Sequence, residues 1–251
     1  MIFSRKQSIV LFLSTWAAAC QAALALTASD LESKVPDNTA LNQMAKSIVG
    51  SGYIDSLKSA ASNFRDYHCF CEMFTKKDNK WKDYGGAELY YKQMNMLRAE
   101  IKSSDYRNGA IVVKQLDGKI RGQGGGGLSL IKMTIQPNSR TLRLPTGFSL
   151  VESDFVSLYD ALKGQIANGA EIAVSSAPVS APFLTEPALV MVLRNKSTNG
   201  GDPQPVHVVY LNPKTKLPVA WNSYANGQSH SFVFFGPLDG NKGLTADFFK
   251  L

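Results

Sequence analysis

The sequence predicts a mainly β protein with helices, of the α+β class, built on one large antiparallel sheet. From Asp66 onward, apolar residues alternate with period two through a series of short segments. Gly, Asp, Asn and Pro separate several of these segments, and such short connections favour antiparallel pairing. Helical spacing appears before the first strand and again in mid-chain. We therefore expect a sheet covered by an N-terminal helix and a mid-chain helix.

The first predicted strand, residues 65–74, organises the rest of the chain. Its alternating side chains are Tyr67, Cys69, Cys71 and Met73 on one face, and His68, Phe70, Glu72 and Phe74 on the other. Neighbouring residues of a strand point to opposite faces, and both sets include large apolar groups, so neither face should simply meet water. We expect a covering layer on one face and a ligand or lid on the other.

The first 25 residues have the pattern of a signal peptide. Arg5 and Lys6 form a basic start, residues 9–19 are an apolar run, and residues 23–25 supply the small-x-small pattern of a cleavage site. This pattern predicts export to the periplasm. Two alternatives stay open. One is a retained membrane anchor, for which the apolar run is short, and the other is a lipoprotein signal that would lipidate Cys20.

Residues 26–38 are predicted to be a linker, and residues 39–251 a single domain with a substantial core. The whole chain has a formal net charge of +7, and removal of residues 1–25 takes away two basic residues and no acidic one, which leaves +5. This balance favours anionic partners such as acidic lipid headgroups. No Lys/Arg run with interleaved aromatic residues is present in the sequence, so we expect no nucleic acid partner.

The N-terminal helical pattern lies within residues 39–64. Its apolar stripe consists of Leu41, Met44, Ala45, Ile48 and Val49 and, after a break at residues 50–52, of Ile54, Leu57, Ala61 and Phe64. Asn38 or Thr39 is a suitable N-cap. The stripe predicts one bent helix or two short helices that pack on the sheet.

The mid-chain helical pattern consists of Val151, Phe155, Leu158, Tyr159 and Leu162. Ser149 and Glu152 have the spacing of a capping box, and Gly164 suits the position after the last turn. Because strands are predicted on both sides, this helix is a natural lid or plug for a curved sheet. Its apolar stripe could equally be ordinary core.

Ten further strands are predicted. They lie near residues 83–93, 94–103, 109–116, 118–123, 128–136, 170–176, 187–195, 205–212, 217–224 and 228–235. The strongest hairpin turns are Asp117-Gly118 and Asn226-Gly227, because these residue types tolerate positive φ. The glycine run at residues 121–127 lacks the Lys and Ser/Thr of a phosphate loop and no helix follows it, so we expect no nucleotide cofactor. It is either a plain hairpin end or a place where missing side chains leave room for a bulky ligand.

The residues with metal-binding or catalytic side chains do not form a recognisable site. The chain has three histidines, His68, His207 and His230. On a strand His68 points away from Cys69 and Cys71, so these three residues cannot share a metal ion. The two cysteines would lie about 6.6 Å apart on one face, near the limit for a disulfide, and are expected to be small buried hydrophobes. With no Gly-x-Ser-x-Gly motif and no paired carboxylates, an enzyme is the weakest hypothesis.

Three segments resemble a known family. They are residues 64–69, residues 97–98 leading to 108–113, and the C-terminal pair 209–218 and 223–227. Together they resemble the periplasmic lipoprotein-carrier superfamily with the LolA/LolB-like fold. The resemblance is strongest to an uncharacterised branch described only as a domain of unknown function. Asn212 stands where that superfamily usually has an acidic residue, and the Arg-Pro-x-x-Phe stretch of the true carriers is absent after Arg98.

The resemblance implies a strongly curved antiparallel half-barrel, whose concave apolar face receives acyl chains in characterised members. The ligand cavity predicted on this basis is lined by Phe70, Met94, Met96, Arg98, Phe155, Leu158, Phe232 and Phe234. Arg98 would meet the charge of a headgroup. The leading hypothesis is a periplasmic, non-catalytic protein that binds a lipid, an acyl chain or a lipidated peptide, with no cofactor or metal. The alternative is a scaffold or sensor of the same fold that binds envelope proteins and has no cavity.

Overall fold

The centre of the molecule is one antiparallel sheet. The computed structural model describes residues 27–102, 107–195 and 203–251. The strands in these ranges are β1 (Ser47–Val49), β2 (Asp66–Lys77), β3 (Lys80–Lys92), β4 (Met96–Lys102), β5 (Ile111–Lys114), β6 (Ile120–Gln123), β7 (Lys132–Ile135), β8 (Glu171–Val174), β9 (Leu189–Asn195), β10 (Gln204–Leu211), β11 (Pro218–Ala225), β12 (Gln228–Phe235) and β13 (Asp239–Gly240). The predicted signal peptide and Cys20 lie outside the described residues.

The strand order is β1-β8-β9-β10-β11-β12-β2-β3-β4-β5-β6-β7, and β13 pairs with β2. In the described residues every strand pairing is antiparallel, and β1 and β7 each have one neighbour, so the sheet is open. The predicted fold class, a mainly β half-barrel with covering helices, is therefore confirmed.

Four α-helices cover the two faces of the sheet. They are α1 (Ala28–Lys34), α2 (Asn38–Met44), α3 (Ser51–Ser62) and α4 (Phe155–Ala167). Ile54 of α3 and Leu162 of α4 belong to a core that also contains Tyr67 and Leu97 of the sheet. On the opposite face, α1 and α2 pack against β9 to β12 around a second core. The two apolar sets of the first strand thus face two different cores. No helix in the described part of the chain is long and apolar enough to cross a bilayer.

The N-terminal helical stripe is interrupted earlier than the sequence predicts. Helix α2 ends at Met44, and Ile48 and Val49 belong to β1, where Ile48 pairs with Ala173. This pairing with a distant strand outweighs the local helical spacing. The N-cap of α2 is Asp37, whose Oδ1 accepts the N–H of Ala40 at 2.8 Å. Residues 26–38, predicted as a linker, include α1.

The mid-chain helix begins and ends later than predicted. Its N-cap is Asp154, whose carboxylate accepts the backbone N–H of Ser157 at 2.9 Å. Ser149 precedes a separate 3-10 turn and makes no capping hydrogen bond with its side chain. The helix continues through Gly164 to Ala167, and Gly169, with φ +98°, follows its C-cap. A stronger cap at each end therefore replaces the two that the spacing suggested.

Most predicted turns lie where the sequence places them. Gly118, Asn226 and Gly227 have positive φ in their hairpins, as predicted. The predicted strands 83–93 and 94–103 become β3 and β4, separated by a turn in which Met94 and Asn95 have φ values of 70° and 61°. The predicted strand at 128–136 is shortened to β7, because a 3-10 turn occupies Gly126–Leu128.

Candidate ligand-binding cavity

A cavity of about 680 Å³ lies against the face of the sheet that carries α3 and α4. Its size falls within the usual range of about 300–1,000 Å³ for small-molecule sites. One wall is formed by Cys71 and Met73 of β2 and Leu89 of β3. Val233 and Phe235 of β12 extend this wall to the other half of the sheet. The cavity is therefore bounded by side chains from strands distant in sequence.

The opposite wall is formed by α4 and the segment before it. Leu158 of α4 lines the cavity together with Leu144 and Phe148. The segment is folded back on itself, because the Leu144 N–H donates to the carbonyl of Phe148 at 2.9 Å. The Phe148 ring contacts Trp221 edge-on, with centroids 5.4 Å apart. These contacts close the cavity on the side away from the sheet.

The orientation of α4 is fixed at its first turn. Besides the Asp154 cap, the Phe155 N–H donates to the hydroxyl of Tyr67 at 3.0 Å, in the interior. The Phe155 ring stacks on Tyr67 at 5.1 Å and meets Phe235 edge-on at 5.4 Å. The start of the helix is thereby attached to β2 and β12, and Leu158 faces the cavity one turn later.

The glycine run forms one end of the cavity. Gly122, Gly124 and Gly125 all line it. A Cβ on Gly125 would come within 2.2 Å of the Asn108 carbonyl oxygen, and one on Gly124 within 2.5 Å of the Leu128 oxygen. Only glycine permits backbones to approach so closely. The run is thus a packed corner of the cavity wall, which goes beyond the plain hairpin end considered from the sequence.

The polar lining is sparse and biased toward positive charge. The charged lining residues are Asp83, Arg107 and Arg143. The Asp83 carboxylate accepts the Gly85 N–H at 2.8 Å, which satisfies part of its hydrogen-bonding capacity. The Arg143 side chain is exposed, and in the described residues no carboxylate pairs with it. The mouth of the cavity therefore favours an anionic group.

The two thiols of β2 lie on the cavity side of the sheet. Cys69 and Cys71 are free, and their Sγ atoms are 3.8 Å apart. Hydrogen bonding with Cys69 and burial both raise the pKa of the Cys71 thiol well above its ordinary value. A neutral thiol is a weak nucleophile, so Cys71 contributes an apolar surface to the cavity.

A buried polar group lies behind the cavity wall. The indole N–H of Trp221 donates to Nδ1 of His207 at 3.2 Å, and the Ser223 hydroxyl lies 3.1 Å from the same nitrogen. The other ring nitrogen, Nε2, lies 3.3 Å from the side-chain amide nitrogen of Gln165. Burial, with a smaller contribution from His230, lowers the pKa of His207 to about 4. His207 is therefore a neutral, structural histidine at neutral pH.

His68 belongs to a different surface. It lies on the face of β2 opposite the cysteines, and its Nε2 is 2.5 Å from Oε2 of Glu88. Its ring stacks on Tyr90 with centroids 4.5 Å apart. Neither side chain lines the cavity. In the described residues no three His, Cys, Asp or Glu side chains are grouped so that they could hold a metal ion.

Comparisons with known proteins give matches to solved structures only. No family model matches the sequence, and no curated protein matches it either. A DUF1329 family protein from Desulfovibrio piger is 11% identical, with 78% of this chain and 97% of that chain covered and a TM-score of 0.37. A LolA superfamily protein from Nitrosomonas europaea is 9% identical, with coverages of 79% and 97% and a TM-score of 0.39. The Mycobacterium tuberculosis lipoprotein LppX is 10% identical, with coverages of 84% and 100% and a TM-score of 0.44.

At 9–11% identity the likeness concerns the fold alone. The architecture itself carries the comparison: an open antiparallel sheet covered by helices is the half-barrel that the resemblance implies.

The residues predicted to line a cavity are distributed over several places. Leu158 lines the cavity, and Phe155 lies in the core beside it. Phe232 is buried in the core on the opposite face, and Phe234 packs against that core. The neighbouring Val233 and Phe235 line the cavity instead of these two rings. The alternation of the strand residues is therefore as the sequence predicts. Alternation alone does not show which of the two apolar sets faces the cavity.

The other predicted lining residues also lie away from the cavity. Phe70 shares the face of His68, and its ring packs over Gly86, where a Cβ would come within 2.7 Å. Met94 is 67% exposed in the β3–β4 turn. Met96 and Arg98 lie on the strand face opposite Leu97, which belongs to the core of the cavity side.

Arg98 is engaged with the C-terminal segment. Its Nε donates to Glu100 at 2.9 Å and its Nη1 donates to the Phe248 carbonyl at 3.1 Å. The guanidinium also lies 4.8 Å from the centre of the Phe248 ring. Arg98 thus holds the chain end against the sheet, and the arginines that line the cavity are Arg107 and Arg143, which the sequence does not single out. No local motif distinguishes Arg143, because its position depends on how residues 139–150 cross the sheet.

Proposed function

We propose that this protein is a non-catalytic binding protein of the cell envelope, which holds a lipid, an acyl chain or a lipidated peptide in the cavity. The supporting observation is the cavity of about 680 Å³ between sheet and α4, with its largely apolar walls. An apolar chain placed there removes apolar surface from water at about 25 cal/mol per Å². The alternative of a scaffold with a filled core accounts less well for this space.

The ligand's polar end is expected at Arg143 and Arg107. Both line the mouth, where Asp83 is the one acidic lining residue within the described chain. A carboxylate or phosphate on the ligand would form charge-assisted hydrogen bonds with a guanidinium, which are stronger than neutral ones. Arg143 therefore takes the role that the sequence suggested for Arg98, which is held by Glu100 and Phe248.

Binding without catalysis is supported by the state of the polar side chains around the cavity. His207 and Ser223 are 5% and 1% exposed, and they lie behind Trp221. The Cys71 thiol is held neutral by its surroundings. A general base needs to be within hydrogen-bond reach of the atom on which it acts. These groups instead support the shape of the wall.

Export to the periplasm is part of the proposal and is supported by the signal-peptide pattern of residues 1–25. The mass of the mature N-terminus tests it. A start at Leu26 is the expected result for a free periplasmic protein, whereas a diacylglyceryl mass on Cys20 would mean a lipid-anchored one. An unprocessed Met1 would contradict export by cleavage.

Filling the cavity should abolish lipid binding. In Ala87→Trp, an indole is placed on the cavity face of β3, where Ala87 lines the cavity. Native mass spectrometry of the protein isolated from the periplasm should show co-purified lipid in the wild type and a ligand-free mass in this variant. The matched control is Ala225→Trp at an exposed position at the end of β11, which should keep the lipid.

Two outcomes would contradict the proposal. One is a ligand-free wild type in repeated preparations. The other is equal lipid content in Ala87→Trp and Ala225→Trp, with circular dichroism showing that both are folded. The second outcome would place any lipid outside the cavity.

A further inference from the structure

A cluster of exposed apolar side chains lies beside the cavity. It consists of Leu128, Leu130, Ile131 and Met133, which are 55%, 93%, 48% and 54% exposed. We call these four residues the apolar lip. Single exposed apolar residues are common on soluble proteins, but a contiguous group marks a contact surface. The lip occupies six consecutive positions between β6 and the middle of β7.

The lip is held in place by its backbone. The Leu128 N–H donates to the Gly125 carbonyl at 3.0 Å, and the Ile131 N–H donates to the Leu128 carbonyl at 2.9 Å. The Gly124 N–H donates to the Ile131 carbonyl at 3.1 Å, which closes the loop. Leu130 is therefore presented outward by a hydrogen-bonded turn. Its side chain lies at the tip, with nothing from the described chain covering it.

The lip is continuous with the mouth of the cavity. Leu128 and Met133 line the cavity, whereas Leu130 and Ile131 extend beyond it. A surface that covered the lip would therefore lie directly over the entrance. Tyr84 of β3 is a further exposed apolar residue that lines the cavity, and it is 39% exposed.

The segment of the chain that contains the lip is strongly basic. Residues 107–143 contain seven Lys and Arg residues and one acidic residue, Asp117. That carboxylate is already paired with Lys119 at 2.9 Å. Lys132 stands within the lip, between Ile131 and Met133, and Arg143 lies at the mouth. Within this segment the excess of six positive charges is close to the net charge of +7 of the whole chain.

We propose that the apolar lip inserts into the surface of an anionic lipid bilayer and so places the mouth of the cavity on the membrane. Apolar side chains surrounded by Lys and Arg are the combination that anionic bilayers bind, through burial and charge attraction together. A specific protein interface needs about 20–30 residues on each side, far more than one six-residue segment. The inference concerns the outer surface, so it does not depend on what the cavity holds.

Site-specific quenching tests the insertion. Leu130→Trp and Leu116→Trp are each made in the full chain, so that the N-terminal segment is the same in both. Leu116 is the matched control, because it is 57% exposed in the β5–β6 turn, at the other end of β6. Vesicles contain phosphatidylglycerol and phosphatidylethanolamine with brominated acyl chains, which quench indole fluorescence in the bilayer. The extra fluorescence from Leu130→Trp should be quenched and that from Leu116→Trp should not.

Vesicle sedimentation measures how tightly the protein binds the bilayer. The double variant Leu130→Ser, Ile131→Ser should bind these vesicles at least about tenfold more weakly than Leu116→Ser, since tenfold corresponds to about 1.4 kcal/mol. Lys132→Gln should weaken binding mainly at low salt, because charge attraction is screened by ions. Phosphatidylcholine vesicles should bind the wild type less tightly than anionic ones.

Three results would overturn the inference. They are equal quenching at positions 130 and 116, equal binding of anionic and zwitterionic vesicles, and a concentration-dependent dimer that Leu130→Ser dissociates without any quenching at position 130. The last result would make the lip an interface between copies of the chain.

Discussion

At the scale of single residues, His207 illustrates how a polar side chain serves the cavity without lining it. Its ring is stacked against Phe148 at 5.2 Å and accepts the indole N–H of Trp221, both of which line the cavity. Gln165 of α4 faces its other nitrogen. The histidine thus connects β10, β11, the folded segment and α4, and this network requires the neutral ring.

The free energy of unfolding should therefore fall as the pH is lowered from 6.5 toward 4. Burial lowers the pKa of folded His207 from 6.5 to about 4, so between these values the unfolded chain binds a proton that the folded chain does not. This linkage removes up to about 3 kcal/mol over that window. Urea denaturation at a series of pH values measures it. His207→Gln should lose less stability over the same window, and identical slopes for both proteins would contradict this assignment.

At the scale of elements, the sequence predicts the strands well and the faces less well. Period two locates β2 and β12 because their alternation is strong. The same alternation leaves Phe232 and Val233 equally suited to the cavity, since both faces of the sheet are covered. Only the packing of α4, and not local spacing, decides that Val233 faces the cavity.

Two element boundaries differ from the sequence prediction, each for its own physical reason. Ile48 fits a helical stripe locally, but it pairs with Ala173, more than a hundred residues away. Gly164 looks like the end of α4, but the helix continues to Ala167, and the backbone N–H of Asn168 supplies the C-cap hydrogen bonds. A contact between distant segments outweighs local propensity at Ile48, whereas a local cap one turn after Gly164 marks the end of α4.

The closely packed glycines at the corner of the cavity give a prediction about stability. Gly125→Ala should be destabilising by about 1–3 kcal/mol, because its Cβ would overlap the Asn108 oxygen and the Ala110 nitrogen, at 2.2 Å and 2.8 Å. Gly127→Ala is the matched control, since nothing lies within 4 Å of its Cβ and its φ is not positive. Chemical denaturation of the two variants compares them. If both are equally stable, the close packing of this corner does not limit the fold.

At the scale of the whole molecule, the cavity results from unequal coverage of one sheet face. Helices α3 and α4 fill the space over β8 to β12 with side chains such as Leu57 and Leu162. Toward β5 to β7, a small cluster of Ile120, Leu142 and Val151 closes the end within the described part of the chain. The space between the two clusters is the cavity. A half-barrel could be anticipated from the sequence, but a cavity at this end of it depends on tertiary packing that local patterns do not encode.

Occupancy of the cavity should raise the stability of the whole molecule. A ligand at about 100 times its dissociation constant adds about 2.7 kcal/mol, which for a domain of this size raises the thermal midpoint by roughly 5–10 °C. Calorimetry of the protein before and after delipidation measures the shift. Ala87→Trp should show no difference between the two preparations, and an unchanged midpoint in the wild type would mean that the lipid does not occupy the folded core.

The open end of the sheet affects which ligands the cavity can hold. Among the described residues β7 pairs with β6 alone, so an outward shift of the β6–β7 ribbon breaks no hydrogen bond on its far side. Such a shift would make room for a thicker ligand, and its cost would be the loss of van der Waals contacts between Ile135 and its neighbours. Closed barrels lack this freedom, because widening them stretches every ladder. The protein should accordingly discriminate weakly between ligands of different thickness, and more strongly between ligands whose polar ends differ in charge.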